Sequence, residues 1–277
     1  MLRGLNDAAD PAVEGHETEA QTIAKCLRDL KNEDADTRRR AVLILGKYRD
    51  PRAVAGVIDA LNDPVADIRR SAVVSLSEHD MIPPAARNPI LRRLADPDVH
   101  VRRIASSAAA QLFRLRGIVL GNAGVSGFFA VSPAAREIVN RALNDDDSIV
   151  RKNVVSLYPW MKAVFEPGNV KRLLEDEDRE IRVLAVRALR TIVSDDKLPG
   201  TLAEAAADPK PVVREEVARS LSAALPAGRE LLKKLAGDAD TRVKAEALAR
   251  LARTGNSDLL PRLRDFVLDS SLPADVR

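Results

Sequence analysis

An aspartate and an arginine six positions apart recur along this 277-residue chain, and their spacing leaves little freedom in what the chain can fold into. The pair stands at Asp63 and Arg69, Asp96 and Arg102, Asp145 and Arg151, Asp176 and Arg182, and Asp208 and Arg214. Degenerate copies flank these at Asn32 and Arg38, and at Asp238 and Lys244. Successive basic members are separated by 31, 33, 49, 31, 32 and 30 residues. Self-similarity with a period of about 30 marks a stack of repeated units rather than one globular core.

The residues after each basic anchor give the helical period. Three positions on come Ala41, Ala72, Ala105, Val154, Ala185, Val217 and Ala247, all small or β-branched. Seven positions on come Leu45, Leu76, Ala109, Tyr158, Leu189, Leu221 and Leu251. Offsets of three and seven fall on one side of a helix, so both sets are expected in the core. Each unit therefore reads as two helices. The first carries apolar residues such as Ile23, Leu27 and Leu30, or Val57, Ile58 and Leu61. It ends in an Asp/Asn-rich turn, often with proline, that suits the loop and the first turn of the second helix. A pair of helices this short cannot bury its own apolar stripe, so neighbouring pairs must stack.

The units resemble HEAT repeats, especially the short HEAT-like type also found in phycobilisome lyases. The resemblance runs from about residue 17 to the end. It implies an all-α fold: a right-handed α-solenoid of seven helical hairpins and a partial eighth. Residues 1–277 would form a single domain, with 1–16 as an N-terminal arm. It also implies that the Asp and Arg side chains stack from unit to unit as a ladder. An arginine in a helix's first turn sits unfavourably at the positive end of the macrodipole, which a carboxylate from the preceding turn can offset.

Three irregularities carry the candidate functional residues. The long interval of 49 locates an insertion at 117–133, and no charge occurs from Gly117 to Ala135. Its glycines and Pro133 argue against a membrane span, and Gly121, Gly124 and Gly127 lack the Gly-Lys-Ser/Thr of a phosphate-binding loop. The expectation is a long loop that either packs Phe128 and Phe129 onto its own solenoid or contacts a partner or a second copy through them. Next, Pro159 falls where the fourth unit's second helix should run, so a kink or stop is expected there. Trp160, the single tryptophan, stands beside it and either caps the kink or walls a partner-binding pocket in the groove. Last, the position after each anchor is basic in the first four units, at Arg39, Arg70, Arg103 and Lys152, and becomes Val183, Glu215 and Ala245 in the next three. That position should face the groove lined by second helices, making a basic stripe that Arg187, Arg190 and Arg219 continue unevenly.

Composition narrows the function. Lys and Arg number 44 against 41 Asp and Glu, a formal charge of +3, and aromatic residues are 3% of the chain. Sequence-independent nucleic-acid binding would recruit more of both cations and stacking rings. One cysteine, Cys26, excludes a disulfide framework, and no secretory leader is visible at the start, so a cytoplasmic protein is expected. HEAT-like deoxyhypusine hydroxylases use several His-Glu dipeptides as iron ligands, whereas here the pattern occurs once, at His16-Glu17. No metal, cofactor or catalytic residue is called for. The reading is a non-enzymatic scaffold for a protein partner with an acidic segment, bound through the groove or the 117–133 loop. The alternatives are a nucleic-acid-binding protein like the HEAT-like alkylpurine glycosylases, or a bilin-lyase-type subunit.

Overall fold

The computed structural model describes residues 18–78, 82–120, 132–253 and 264. The described residues contain helices and turns and no strand. They fall into two compact units, residues 1–83 and 84–277.

The first unit holds α1 (Glu19–Asp29), α2 (Ala35–Leu45), α3 (Pro51–Ala60) and α4 (Ala66–Ser77). First helices α1 and α3 pack on each other, second helices α2 and α4 do the same, and each hairpin closes on itself. The second unit holds α5 (Arg87–Arg92), α6 (Val99–Leu120), α7 (Pro133–Ala142), α8 (Ser148–Val155), α9 (Tyr158–Met161), α10 (Pro167–Arg172), α11 (Arg179–Ile192), α12 (Leu198–Thr201), α13 (Pro211–Ser220), α14 (Pro226–Leu235) and α15 (Thr241–Ala252). Here the second helices form a continuous series in which α6, α8, α11, α13 and α15 each pack against the next. The result is an all-α solenoid of helical hairpins within each unit.

The core obeys the expected offsets. All seven residues three positions after an anchor are at most 2% exposed, and so are six of the seven at offset seven. Tyr158 is the exception. It is half-buried, and the core position passes to Leu157, which is fully buried. Pro159 explains the slip: α8 stops at Val155, Ser156 and Leu157 turn the chain, and the proline enters α9 in its first turn, where its missing N–H costs nothing. First helices are often shortened, with α5, α10 and the α12 segment giving way to 3-10 turns at Arg93–Ala95, Leu173–Glu175 and Ala205–Ala207.

The insertion is narrower than the sequence suggests. Residues 117–120 continue α6, and Pro133 opens α7 behind a Ser132 cap. Phe128, Phe129, the 1–16 arm and the partial eighth repeat lie outside the described residues.

A polar ladder ties the repeats, and it runs forward rather than within a unit. Arg182 donates from Nη1 to the carbonyls of Asp176 and Glu177, its own turn, at 2.7 and 3.1 Å. Its Nε and Nη2 donate to both oxygens of Asp208 in the next repeat, at 2.7 and 3.1 Å. The same forked step joins Arg38 to Asp63 in the first unit, and Arg102 to Asp145, Arg151 to Asp176 and Arg214 to Asp238 in the second. Each receiving aspartate also accepts the backbone N–H two residues on, as Asp208 does from Lys210 at 2.8 Å. The carboxylate of the anchor's own turn is therefore not its partner, contrary to the simplest reading of the six-residue spacing. Asn32 keeps the turn-forming bond to the Asp34 N–H with its amide oxygen. Where the next residue but one is also aspartate, it caps the helix: Asp34, Asp147, Asp178 and Asp240 all accept first-turn N–H groups.

Candidate partner-binding face

The residue two before each anchor is exposed on the second helix, and the residue just after it is exposed or half-buried in every repeat but one, where Val183 is buried. In the first unit these positions hold Arg39 with Asp36 and Arg70 with Asp67, paired at 3.7 and 3.0 Å within one helix turn. In the second unit the pairs cross between repeats. Arg103 on α6 donates from Nη2 to Oδ2 of Asp147 at 2.6 Å, and Lys152 on α8 bonds Glu180 on α11. The guanidinium of Arg103 holds the Asp147 carboxyl below the ordinary aspartate range, helped by N–H groups at the start of α8. The hydrogen bond to Glu180 raises the Lys152 ammonium above its usual value. All four cations of the expected stripe thus have a carboxylate at hand. The basic stripe expected from the sequence is a row of ion pairs, each cation being one half of one.

The continuation of the stripe is denser. Glu216, 5% exposed on α13, accepts from Arg187 on α11 at 2.8 Å and from Arg219 at 3.3 Å. Arg219 reaches Glu246 on α15 at 3.6 Å, and Arg250 donates to the same carboxylate at 2.9 Å. Alternating charges therefore link three successive second helices.

Between these two systems the polar pattern stops. Val183 on α11 stands where α8 carries Lys152, and Val212 on α13 stands where α11 carries Glu180. An ion pair between one pair of helices is replaced by two valines between the next. Here the face opens into a groove of about 450 Å³, floored by Val183 and Leu184, edged by Val212, and walled by Lys152, Arg179, Glu180 and Arg187. Val183 is 9% exposed and Val212 43%, so the floor is sunk and the edge is bare. Arg179 is exposed and, unlike its neighbours, has no carboxylate partner among the described residues.

The stripe's end at Val183 is visible in sequence; its meaning depends on Val212, which comes after Pro211 and reads as an ordinary first-turn residue. Trp160 is half-buried on α9, which packs on α11, and it does not line the groove. Among the described residues, no group of three or more His, Cys, Asp or Glu side chains is arranged to hold a metal ion. No helix among them is long and apolar enough to cross a membrane.

Fold and face together define a repeat protein of stacked helical hairpins, with an exposed surface made by consecutive second helices. Residues 20–111 match the family model of HEAT repeats. The same arginine-to-aspartate step continues past the matched stretch as far as Asp238. The crystal structure of YibA from Escherichia coli is similar at 19% identity, over 90% of this chain and 88% of that one, with a TM-score of 0.55. The CpcE–CpcF complex of phycocyanin lyase from Nostoc sp. aligns at 18% identity over 95% and 98% of the two chains, with a TM-score of 0.43. Human deoxyhypusine hydroxylase aligns at 18% identity over 92% of each, with a TM-score of 0.37. At these identities the likeness to YibA bears on fold alone, and the other two carry nothing further. No curated protein matches.

Proposed function

We propose that the chain is a non-enzymatic interaction scaffold that holds an extended, acidic segment of a partner protein against its second helices. The observation that carries this reading is the groove of residues 84–253: it is apolar at the base, cationic at the wall, and lies on a face the fold itself leaves uncovered. Arg103 and Lys152 would steer an acidic segment without surrendering their internal pairs, as charges at the rim of an interface do. Nucleic acid is the weaker occupant. Affinity for phosphate rises with the number of cations free to displace counterions, and the stripe's cations already have carboxylates beside them. The 117–133 loop, with Phe128 and Phe129, is a second contact that this proposal allows and does not require.

The test is fluorescence anisotropy of the intact chain with a labelled glutamate-rich peptide and, separately, with short duplex and single-stranded DNA. Saturable peptide binding with a shallow salt dependence, and no DNA binding at physiological salt, is the expected result. Tight DNA binding that falls steeply with salt would replace this reading with the nucleic-acid one.

A further inference from the structure

Lys152 and Glu180, at the outer positions of two neighbouring second helices, close the surface between α8 and α11 with a salt bridge. One repeat later the same two positions hold Val183 and Val212, and the surface opens instead. A cation and an acid would seal the gap; here Val183 lies sunk at the base and Val212 stays bare at the edge, apolar area that costs free energy in proportion to its size unless something covers it. Around that base the charges are unequal. Glu180 is occupied by Lys152 and Arg187 by Glu216, while Arg179 has no carboxylate partner among the described residues. The groove thus offers an apolar seat with an unanswered positive charge at its edge.

We infer that this notch is an anchor pocket for one aliphatic side chain of an extended peptide, with Arg179 taking a carboxylate from a residue next to the anchor. The inference rests on the scaffold reading and specifies its ligand: an acidic segment carrying a leucine, isoleucine, valine or methionine, rather than an acidic segment of any composition. Extended peptides alternate their side chains, so one residue enters the seat while its neighbours lie toward the walls. The 450 Å³ of the groove is room for one such side chain and the backbone on either side of it.

The experiment is a selection of random displayed peptides on the intact chain, followed by synthesis of the enriched sequences. Two variants separate the outcomes. Val183→Arg puts into α11 the kind of residue that Arg39, Arg70, Arg103 and Lys152 supply at the same place in other repeats, so the helix is expected to accept it while the seat is filled. Val212→Glu likewise installs the residue type of Glu180 and sets an acid at the mouth. Val212→Glu, at an exposed position, should unfold at the wild-type temperature, and Val183→Arg is compared at a temperature where its helicity by circular dichroism equals wild type. Enriched peptides are expected to share an aliphatic residue flanked by Asp or Glu. Replacing that residue by alanine, or either valine as above, should weaken binding about ten-fold or more, the value of burying one aliphatic side chain. Arg179→Gln should weaken only peptides that carry the flanking acid. Peptides that bind equally well to Val183→Arg and to wild type would overturn the notch and leave the scaffold standing. Failure to enrich any peptide would overturn both.

Discussion

Arg182 divides its guanidinium between two repeats: Nη1 serves two carbonyls of its own turn, and Nε with Nη2 grips Asp208 of the next. Its side chain is 10% exposed and that of Asp208 is 5% exposed, so removing one partner strands the other away from water. Arg182→Ala should therefore cost about 3–5 kcal/mol, the range for breaking a buried pair. Arg39→Ala, which loses an exposed contact to Asp36, should stay within about 0.5 kcal/mol. Urea unfolding of both variants checks the contrast, and equal losses would refute it. Protons test the same chemistry. Hydrogen bonds from Arg214 and from backbone hold Asp238 below its ordinary value, as Arg103 and backbone hold Asp147. A depressed carboxylate stabilises the fold above its unfolded pKa and loses that contribution as pH falls through the folded one. Thermal stability should accordingly be level on this account above about pH 5 and fall below about pH 4. In Asp238→Asn that part of the acid sensitivity should disappear. The six-residue spacing marked the pair and the family resemblance implied a ladder, but neither gave its direction: the nearest acid in sequence belongs to the same turn, whereas the partner found is in the loop of the next repeat.

Within single helices the local rules are met unevenly. Gly228 lies in the first turn of α14, and a Cβ there would come within 2.2 Å of the Ser222 carbonyl oxygen. Alanine is favoured over glycine in helices by about 1 kcal/mol, yet backbone cannot yield as a side-chain tip can. Gly228→Ala is thus expected to destabilise, by about 1–3 kcal/mol, and a stabilising result in differential scanning calorimetry would show that the 222–226 turn adjusts freely. Helix existence and the buried face were readable from the offsets because small residues at offset three and leucines at seven recur unit after unit. The breakdown at Tyr158 was half readable. Pro159 announces a stop, but which of Leu157 and Tyr158 then turns inward depends on the turn at Ser156, and no pattern encodes that. The Asp-x-Asp caps were in plain view and carry no apolar signal, so a search by hydrophobic period passes over them.

In the molecule as a whole, stability is a sum over neighbours, since each hairpin buries its stripe only against the next. Leu189 is fully buried on α11, whose neighbours among the second helices are α8 and α13. Leu189→Ala should cost about 2–5 kcal/mol and show first in hydrogen exchange of α8, α11 and α13, with α15 affected less. Uniform loss of protection over residues 84–253 would mean that this unit unfolds as one block. The candidate site is a property of this scale too. Neither Val183 nor Val212 is unusual alone; the notch exists because two repeats lapse together on adjacent helices, and the repeat alignment has to be read across helices to find it.

The forward-running ladder gives the chain a grammar. Through residues 145–238 a repeat offers a receiving carboxylate to the repeat before it and an extending guanidinium to the repeat after it, so these repeats present the same halves of one joint. Such a joint is indifferent to which copies it connects, and the chain can be shortened by a whole period without breaking the ladder. Excising 176–207 would set Asp208 where Asp176 stood, within reach of Arg151, and join α10 to α13 as a new hairpin. The shortened protein should fold, with a cooperative melt and undiminished mean helicity per residue by circular dichroism. An excision of half that length, which would leave an extending arginine without its receiving aspartate, should not. Length in this molecule would then be something that can change by duplication or loss in units of one period, while each surviving joint stays as it was.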